Sequence, residues 1–414
     1  MSPSPDTRLS RRAALRAGAA AVTATALTGC SGLPPLGSKV RYGTVPAPDA
    51  RAPTYREWLP AADAFPDSAD ADGAYNVHAY EPPPADAPAW TRGSVARTRV
   101  ATQSDYVGLH VDDVDVAVGI SNLLAESIAL VLAGDVDRGA VRETVAETSY
   151  EAGDTENGYS VYTRPDADRV LGVSADGLVF ASGPSAREIM TTVADARRGE
   201  VKRYHEVSAD FAELSAGAGS RRWTWLMPGT IRSGDQQSTD TVFWDTVGRA
   251  YAFSHDDDTA YSVRTWLFPD GYDVTVGEVK TALERRARAN EADAVEVSVD
   301  GRVATMELSR PLEEYREDTT TLVVPHVAWR TEYDVAAERL SFHHEAGDTI
   351  ETDRLVVRAP GIDDRADFDV GDTLEPGEEL TVSTAGVDSG ETVQLVYESP
   401  DGDATATLAH WERP

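Results

Sequence analysis

The sequence predicts an α+β protein: antiparallel sheets with helices, followed by a small C-terminal β-sandwich. Three observations carry that prediction. Short apolar alternating runs recur between Gly-, Asp- and Pro-containing turns over 55–335. Helix-period segments with start and stop signals interrupt those runs. From about residue 338 helix signals vanish, and strands and turns alternate at the short spacing of a sandwich.

The elements read in order. The first cluster of large side chains, Tyr55-Arg56-Glu57-Trp58-Leu59-Pro60, opens the ordered part. A strand is predicted over 74–80, and Asp-rich alternation over 106–118 reads as another. The apolar run 125–132 gives a strand that ends at Gly134-Asp135. Asp137 caps a helix over 137–148, with Val141 and Val145 on one face. Strands follow over 158–163, 169–173 and 178–181, the last two joined across Asp176-Gly177. A helix over 184–198 stops at Gly199, and the aromatic run 222–227 is strand-like. A second pass then begins: a hairpin over 249–268, a helix over 275–289 with Thr275 as cap, and a hairpin across Asp300-Gly301. The repeated order of strand, helix and hairpin suggests two related units, 55–230 and 231–335, ferredoxin-like in layout. The region 336–414 is the sandwich, with turns at Gly347-Asp348, Gly371-Asp372, Pro376-Gly377, Ser389-Gly390 and Asp401-Gly402.

The formal net charge is −32, and the lysines are Lys39, Lys202 and Lys280 alone, so arginine supplies nearly all positive charge. With 41% hydrophobic residues the chain is not disorder-like. Such self-repulsion is screened in molar salt, where the Debye length falls to about 3 Å. The composition resembles that of proteins from extreme halophiles; an ordinary acidic secreted protein is the other reading. No basic patch is available for phosphates, which points away from nucleic acid and anionic membrane surfaces as partners.

The N-terminus carries the strongest address signal. Arg11 and Arg12 precede a short, weakly apolar run over 17–27, the pattern of a twin-arginine export signal. The run is too short to span a bilayer, which needs about 20 apolar residues, and suits a cleavable signal. Leu27-Thr28-Gly29-Cys30 resembles the lipobox of bacterial and archaeal lipoproteins. Small residues admit a peptidase before Cys30, and its thiol receives lipid. Ala14 and Arg16 depart from the usual twin-arginine pattern, where Phe and Lys are common; the arginine pair remains. Residues 1–29 are therefore expected to be the signal, and 30–54 a lipidated cysteine with a Pro-, Gly- and Ser-rich stalk. Cys30 is the sole cysteine, which excludes a disulfide and leaves no other thiol for catalysis or zinc.

In the C-terminal region, His344-Glu345-Ala346-Gly347-Asp348-Thr349-Ile350, Val370-Gly371-Asp372-Thr373-Leu374 and Val393-Gln394-Leu395-Val396-Tyr397-Glu398-Ser399-Pro400-Asp401-Gly402 resemble the globular β-domain of haloarchaeal type IV pilins. The resemblance covers the final 75 or so residues and implies a surface-exposed, Ig-like sandwich module. Pilins also carry an N-terminal polymerisation helix; here a lipobox stands in its place, so the resemblance does not imply a pilus subunit.

Motifs for chemistry are sparse. There is no G-x-S-x-G elbow, H-E-x-x-H helix, P-loop or G-x-G-x-x-G. His343 and His344, adjacent in a strand, point to opposite faces and do not readily chelate one ion. His255-Asp256-Asp257-Asp258 is a set of oxygen ligands on a hairpin tip, more simply a solvated acidic turn. Asp112, Asp113 and Asp115 alternate, which puts Asp113 and Asp115 on one strand face as candidate paired carboxylates. Trp223, Trp225, Trp244 and Trp266 lie in the mixed region; Trp223 and Trp225 share a sheet face, as core filler or as a ligand platform. No catalytic, metal or cofactor residue is assigned, and no cofactor is expected. The expectation is a membrane-tethered lipoprotein on the extracellular face, non-enzymatic, with a binding or structural role in the envelope. Its partners would be the membrane through lipid on Cys30, and an envelope protein or a small-molecule ligand. Two alternatives stand beside it: a solute- or polymer-binding protein with a cleft between the α+β units, and a carboxylate-based hydrolase.

The anchor is testable directly. Cys30→Ser should release the protein to the medium or leave an uncleaved precursor, and Arg11→Lys with Arg12→Lys should block export. Immunoblots of cell, membrane and medium fractions read this out, and a mature-size Cys30→Ser species retained in the membrane would contradict lipidation.

Overall fold

The computed structural model describes residues 53–66, 74–83, 95–121, 127–229, 246–272, 277, 280–282, 294–317, 322–360 and 371–414. The export signal, the lipobox with Cys30, nearly all of the stalk, Trp244 and most of the helix predicted over 275–289 lie outside them.

Strands of the mixed region are β1 (Asn76–Tyr80), β2 (Val116–Ser121), β3 (Ile128–Ala133), β4 (Glu151–Glu156), β5 (Tyr159–Arg164), β6 (Arg169–Val173), β7 (Gly177–Ser182), β8 (Trp223–Pro228), β9 (Gly248–His255), β10 (Thr259–Leu267), β11 (Ala294–Asp300) and β12 (Val303–Pro311). Helices are α1 (Val95–Gln103), α2 (Arg138–Val145), α3 (Ala186–Arg198), α4 (Tyr204–Val207), α5 (Ala209–Ala218) and α6 (Leu312–Glu317). The class is α+β with antiparallel sheets, as the sequence predicts.

All twelve of these strands join one antiparallel sheet, in the order β11-β12-β10-β9-β8-β1-β2-β3-β7-β6-β5-β4. The order is symmetric about the β1–β8 pair over five strands on each side, with β5 and β4 added beyond β6 on the β1 side. On one side runs β1-β2-β3-β7-β6, with α2 between β3 and the later hairpin. On the other runs β8-β9-β10-β12-β11, with helical residues 280–282 between β10 and β11. What repeats is therefore a hairpin, a helix and a hairpin. Pairing among the described strands is antiparallel throughout, so the parallel pair of a split β-α-β, ferredoxin-like layout is missing. β8 pairs with both β1 and β9, which moves it from the first predicted unit into the second half of the sheet.

Local sequence explains the helices that cover one face. Asp137 caps α2 by accepting from the amides of Gly139 and Ala140, and Val141 and Val145 are buried. α3 buries Ile189, Met190, Val193 and Ala194 and ends at Gly199, whose φ of 75° suits a residue without Cβ. Ser208 caps α5 through the Phe211 amide, and Phe211, Leu214, Ser215 and Ala218 form its buried stripe. α4 and α5 are hard to read as helices from sequence because each is short, four and ten residues. α3, α5 and the turn Thr54–Trp58 share one core with Val77, Val118, Val131, Val179, Leu226 and Ala250 of the sheet. On the opposite face α1 and α2 cover Leu130, Leu132, Leu171 and Phe180.

The C-terminal region begins earlier than predicted. β13 (Val327–Asp334) pairs with β14 (Arg339–Gly347), which pairs with β18 (Glu379–Ser383). Opposite lie β16 (Leu355–Arg358), β19 (Thr392–Glu398) and β20 (Thr405–Glu412), and β15 (Ile350–Glu351) pairs β17 (Thr373–Leu374). Leu340, Phe342, Leu380, Val382, Val357, Val393 and Leu395 fill the space between, so the module is a two-layered β-sandwich.

Buried ionic contacts hold the sandwich on the large sheet. Arg164, on β5, has a side chain 1% exposed. Its guanidinium donates to Asp105 at 3.2 Å, to Glu345 of β14 at 3.1 Å and to the Trp329 carbonyl of β13 at 2.8 Å. Asp105 also accepts from Tyr150 and Arg169. Burial pushes the Asp105 carboxyl up, but Arg169, Arg164 and the Tyr150 hydroxyl outweigh it and hold it below its ordinary value. A second tie runs from Arg97 of α1, 3% exposed, to Asp112 at 2.9 Å and to the Val324 carbonyl at 2.6 Å.

Breaking one partner of a buried ion cluster typically costs about 3–5 kcal/mol, because the remaining charges are left uncompensated. Arg164→Met should lower unfolding stability by that order and expose the segment around 322–327 to protease in high salt. Denaturant unfolding with limited proteolysis measures both; a variant within about 0.5 kcal/mol of the parent would contradict this role.

Candidate functional site

Alternation in β8 and β9 sorts side chains by size. Thr224, Leu226, Ala250, Ala252 and Ser254 are buried on the α5 side. Small residues there let the helix approach, and a Cβ at Gly248 would sit 2.9 Å from the Leu214 side chain. The large residues Trp223, Trp225, Tyr251, Phe253 and His255 take the opposite face and are half-buried. Register sets them side by side: His78 opposite Trp225, Trp225 opposite Tyr251, Tyr251 opposite Arg264, and Trp223 opposite Phe253.

The result is an aromatic row running across β1, β8 and β9. His78 stacks on Trp225 with centroids 5.2 Å apart and planes at 17°. Trp225 and Tyr251 lie 5.7 Å apart. Phe253 stacks at 4.7 Å on Tyr315 of α6. Guanidinium groups border the rings: Arg99 of α1 is 6.0 Å from the Trp225 centroid, Arg264 5.8 Å from Tyr251, and Arg310 4.4 Å from Tyr315. Beside the row is a cavity of about 180 Å³ lined by Ala260, Ser262, Arg264, Leu308, Ser309, Arg310 and Tyr315.

Charge in this row is unusual for so acidic a chain. Arg99 is exposed and forms no ion pair among the described residues; its Nη1 donates to His78 Nε2 at 2.6 Å. An arginine only donates, so His78 Nε2 accepts and its proton resides on Nδ1. Burial, then the Arg99 charge, pushes the His78 pKa down to about 3. The indole Nε1 atoms of Trp223 and Trp225 are buried without a hydrogen-bond partner among the described residues. At the end of β1, burial raises Glu81 to about 7 against the pull of Arg222 and Arg221. Stacking rings bordered by guanidinium donors suit binding of an acceptor-rich ring compound.

The structure sorts the sequence candidates. Trp223 and Trp225 do share a sheet face. Trp223 packs at the rim of the core under α1 and α2, whereas Trp225 lies in the row. Trp266 is core, 1% exposed beside Phe268 and Met306. Asp112, Asp113 and Asp115 do not occupy a strand, since β2 starts at Val116; Asp112 is bound to Arg97, and the shared face expected for Asp113 and Asp115 is not formed. The preceding chain turns because Asp113 closes onto the His110 carbonyl. Asp256 accepts from the amides of Asp258 and Thr259 and from the Tyr261 hydroxyl, so it organises the hairpin tip. His343 and His344 point to opposite faces: His344 is fully buried against Trp329, and His343 lies between Glu379 and Glu332. No cluster of metal-ligating side chains is formed among the described residues. Cys30, Arg11, Arg12, Leu27, Thr28 and Gly29 lie outside those residues. His78, Arg99, Tyr251, Phe253, Arg264 and Tyr315 were missed, although the alternating Arg249, Tyr251, Phe253 and His255 were readable as one strand face.

No family model matches the chain, and no curated protein is similar to it in sequence. Among solved structures it is similar to TP0453. Crystal form III gives a TM-score of 0.38 at 10% identity, covering 62% of this chain and 96% of that one. Crystal form I gives 0.38 at 11% identity, covering 58% and 91%.

Imidazoles that stay neutral in the fold make stability pH-dependent. Burial lowers fully buried His326 to about 4, while the unfolded chain takes up its proton near 6.5. Stability is full above pH 6.5 and falls as pH drops from 6.5 toward 4, by about 3 kcal/mol for His326 and further for His78. Unfolding of the parent and His326→Asn between pH 7 and 4.5 should show a shallower slope for the variant; parallel slopes would contradict the assignment.

Proposed function

We propose that this protein is a lipid-tethered, non-enzymatic binding protein of the outer cell envelope, and that the row of His78, Trp225, Tyr251 and Phe253 is its binding face. The observation that carries the reading is the row itself: large aromatic side chains held half-buried on one sheet face, with Arg99 beside them and in no ion pair among the described residues. The tether rests on Arg11, Arg12 and the Leu27-Thr28-Gly29-Cys30 motif, and the acidic composition fits an environment of high salt.

The two sheet halves share the pattern β1-β2-β3-β7-β6 and β8-β9-β10-β12-β11, with β4 and β5 an addition to the first, and this supports descent from one duplicated unit. Under that reading the binding face lies at the seam between duplicates. The C-terminal sandwich, with its pilin-like turn motifs, serves as a support: Arg97 ties α1 to it, which fixes Arg99 over Trp225. The descent of the module from a pilin-type domain remains part of the same proposal.

Binding is checked on washed envelopes in molar salt. Full-length Cys30→Ser protein, free of the anchor, should sediment with the envelopes saturably. Trp225→Ala with Tyr251→Ala should weaken that association at least tenfold while the folding transition is retained. Equal sedimentation of the parent and the double variant would remove the binding face from the account.

A further inference from the structure

Building on the binding face, we infer that its ligand is an acidic saccharide, a sugar chain carrying carboxylates, laid across the row from Trp225 to Tyr315. Four observations converge on that class. First, the row extends across β1, β8 and β9, about 10 Å at a strand spacing of about 4.8 Å. That length suits linked rings better than one small solute. Second, sugar rings present C–H faces to aromatic planes and hydroxyls at their edges. Trp225 and Tyr251 supply the planes, and the exposed Arg99 guanidinium beside Trp225 supplies N–H donors that a hydroxyl or ring oxygen accepts.

Third, three arginines stand at the row in a chain of net charge −32. Arg99, Arg264 and Arg310 border successive rings, and Arg99 is exposed with no carboxylate paired to it among the described residues. Its planar guanidinium matches a sugar carboxylate in bidentate geometry. His78 accepts one N–H of Arg99 and stays neutral, so it orients the guanidinium without adding or cancelling charge. Fourth, the adjoining cavity of about 180 Å³ is smaller than pockets that enclose whole drug-sized ligands, about 300–1,000 Å³. It holds one ring, which fits a chain lying along the row with a single residue in the cavity.

The test uses trigalacturonic acid and the neutral maltotriose as probes, titrated into full-length Cys30→Ser protein in molar salt with tryptophan fluorescence and calorimetry as readouts. Trigalacturonic acid should bind at least tenfold more tightly than maltotriose. Arg99→Gln, an exposed change that leaves folding intact, should reduce that preference to within about threefold, and Tyr251→Ala should weaken both probes. Equal affinity for the two sugars, a preference unchanged by Arg99→Gln, or no binding of trigalacturonic acid would each overturn the saccharide assignment. If envelope sedimentation still depended on Trp225 and Tyr251 in that case, the binding face would stand with a different ligand; if it did not, both would fall.

Discussion

The antiparallel pairing of β1 with β8 is the contact on which the rest depends. It joins the two halves of a twelve-stranded sheet, setting Val77 against Leu226, His78 against Trp225, and Tyr80 against Trp223. The two faces of this seam have different fates. Val77 and Leu226 enter the core under α3 and α5. His78 and Trp225 face the other way and stack. A shift of one residue would exchange those faces, burying the rings against α5 and exposing the aliphatics.

Support for this arrangement comes from a distance. α1 carries two arginines on nearly opposite sides. Arg97 points inward, to Asp112 and to the Val324 carbonyl ahead of the sandwich. Arg99 points outward, over Trp225 and onto His78. Arg164 and Asp105 then fasten the same sandwich to β5 and to the chain following α1. The buried ion clusters therefore act on the site by positioning α1, although they lie outside the aromatic row. In an acidic chain such clusters also spend arginines on structure, which makes an exposed Arg99 with no ion pair among the described residues conspicuous.

Much of the fold was legible in the sequence because local rules suffice for it. The Asp137 cap, the Gly199 stop and the Asp176-Gly177 and Asp300-Gly301 turns fix their elements without tertiary help. The stretch 104–115 misled because Asp-rich alternation imitates a strand; the Arg97–Asp112 pair and the turn onto the His110 carbonyl hold it irregular. β4, all but fully exposed, offered no apolar period to read. The site was half legible. Trp223 and Trp225 declared a shared face, but the neighbours that make Trp225 part of a row, His78 and Tyr251, are 147 and 26 positions away and meet it only through strand register.

Binding at the seam is tested most directly by side-chain footprinting. Hydroxyl-radical labelling of the purified protein should modify Trp225, Tyr251 and Phe253. On the protein in its own envelope, in the same salt, modification of these three should fall several-fold while exposed residues of the sandwich, such as Val335, stay unchanged. Unaltered labelling of the row in the envelope would contradict binding there.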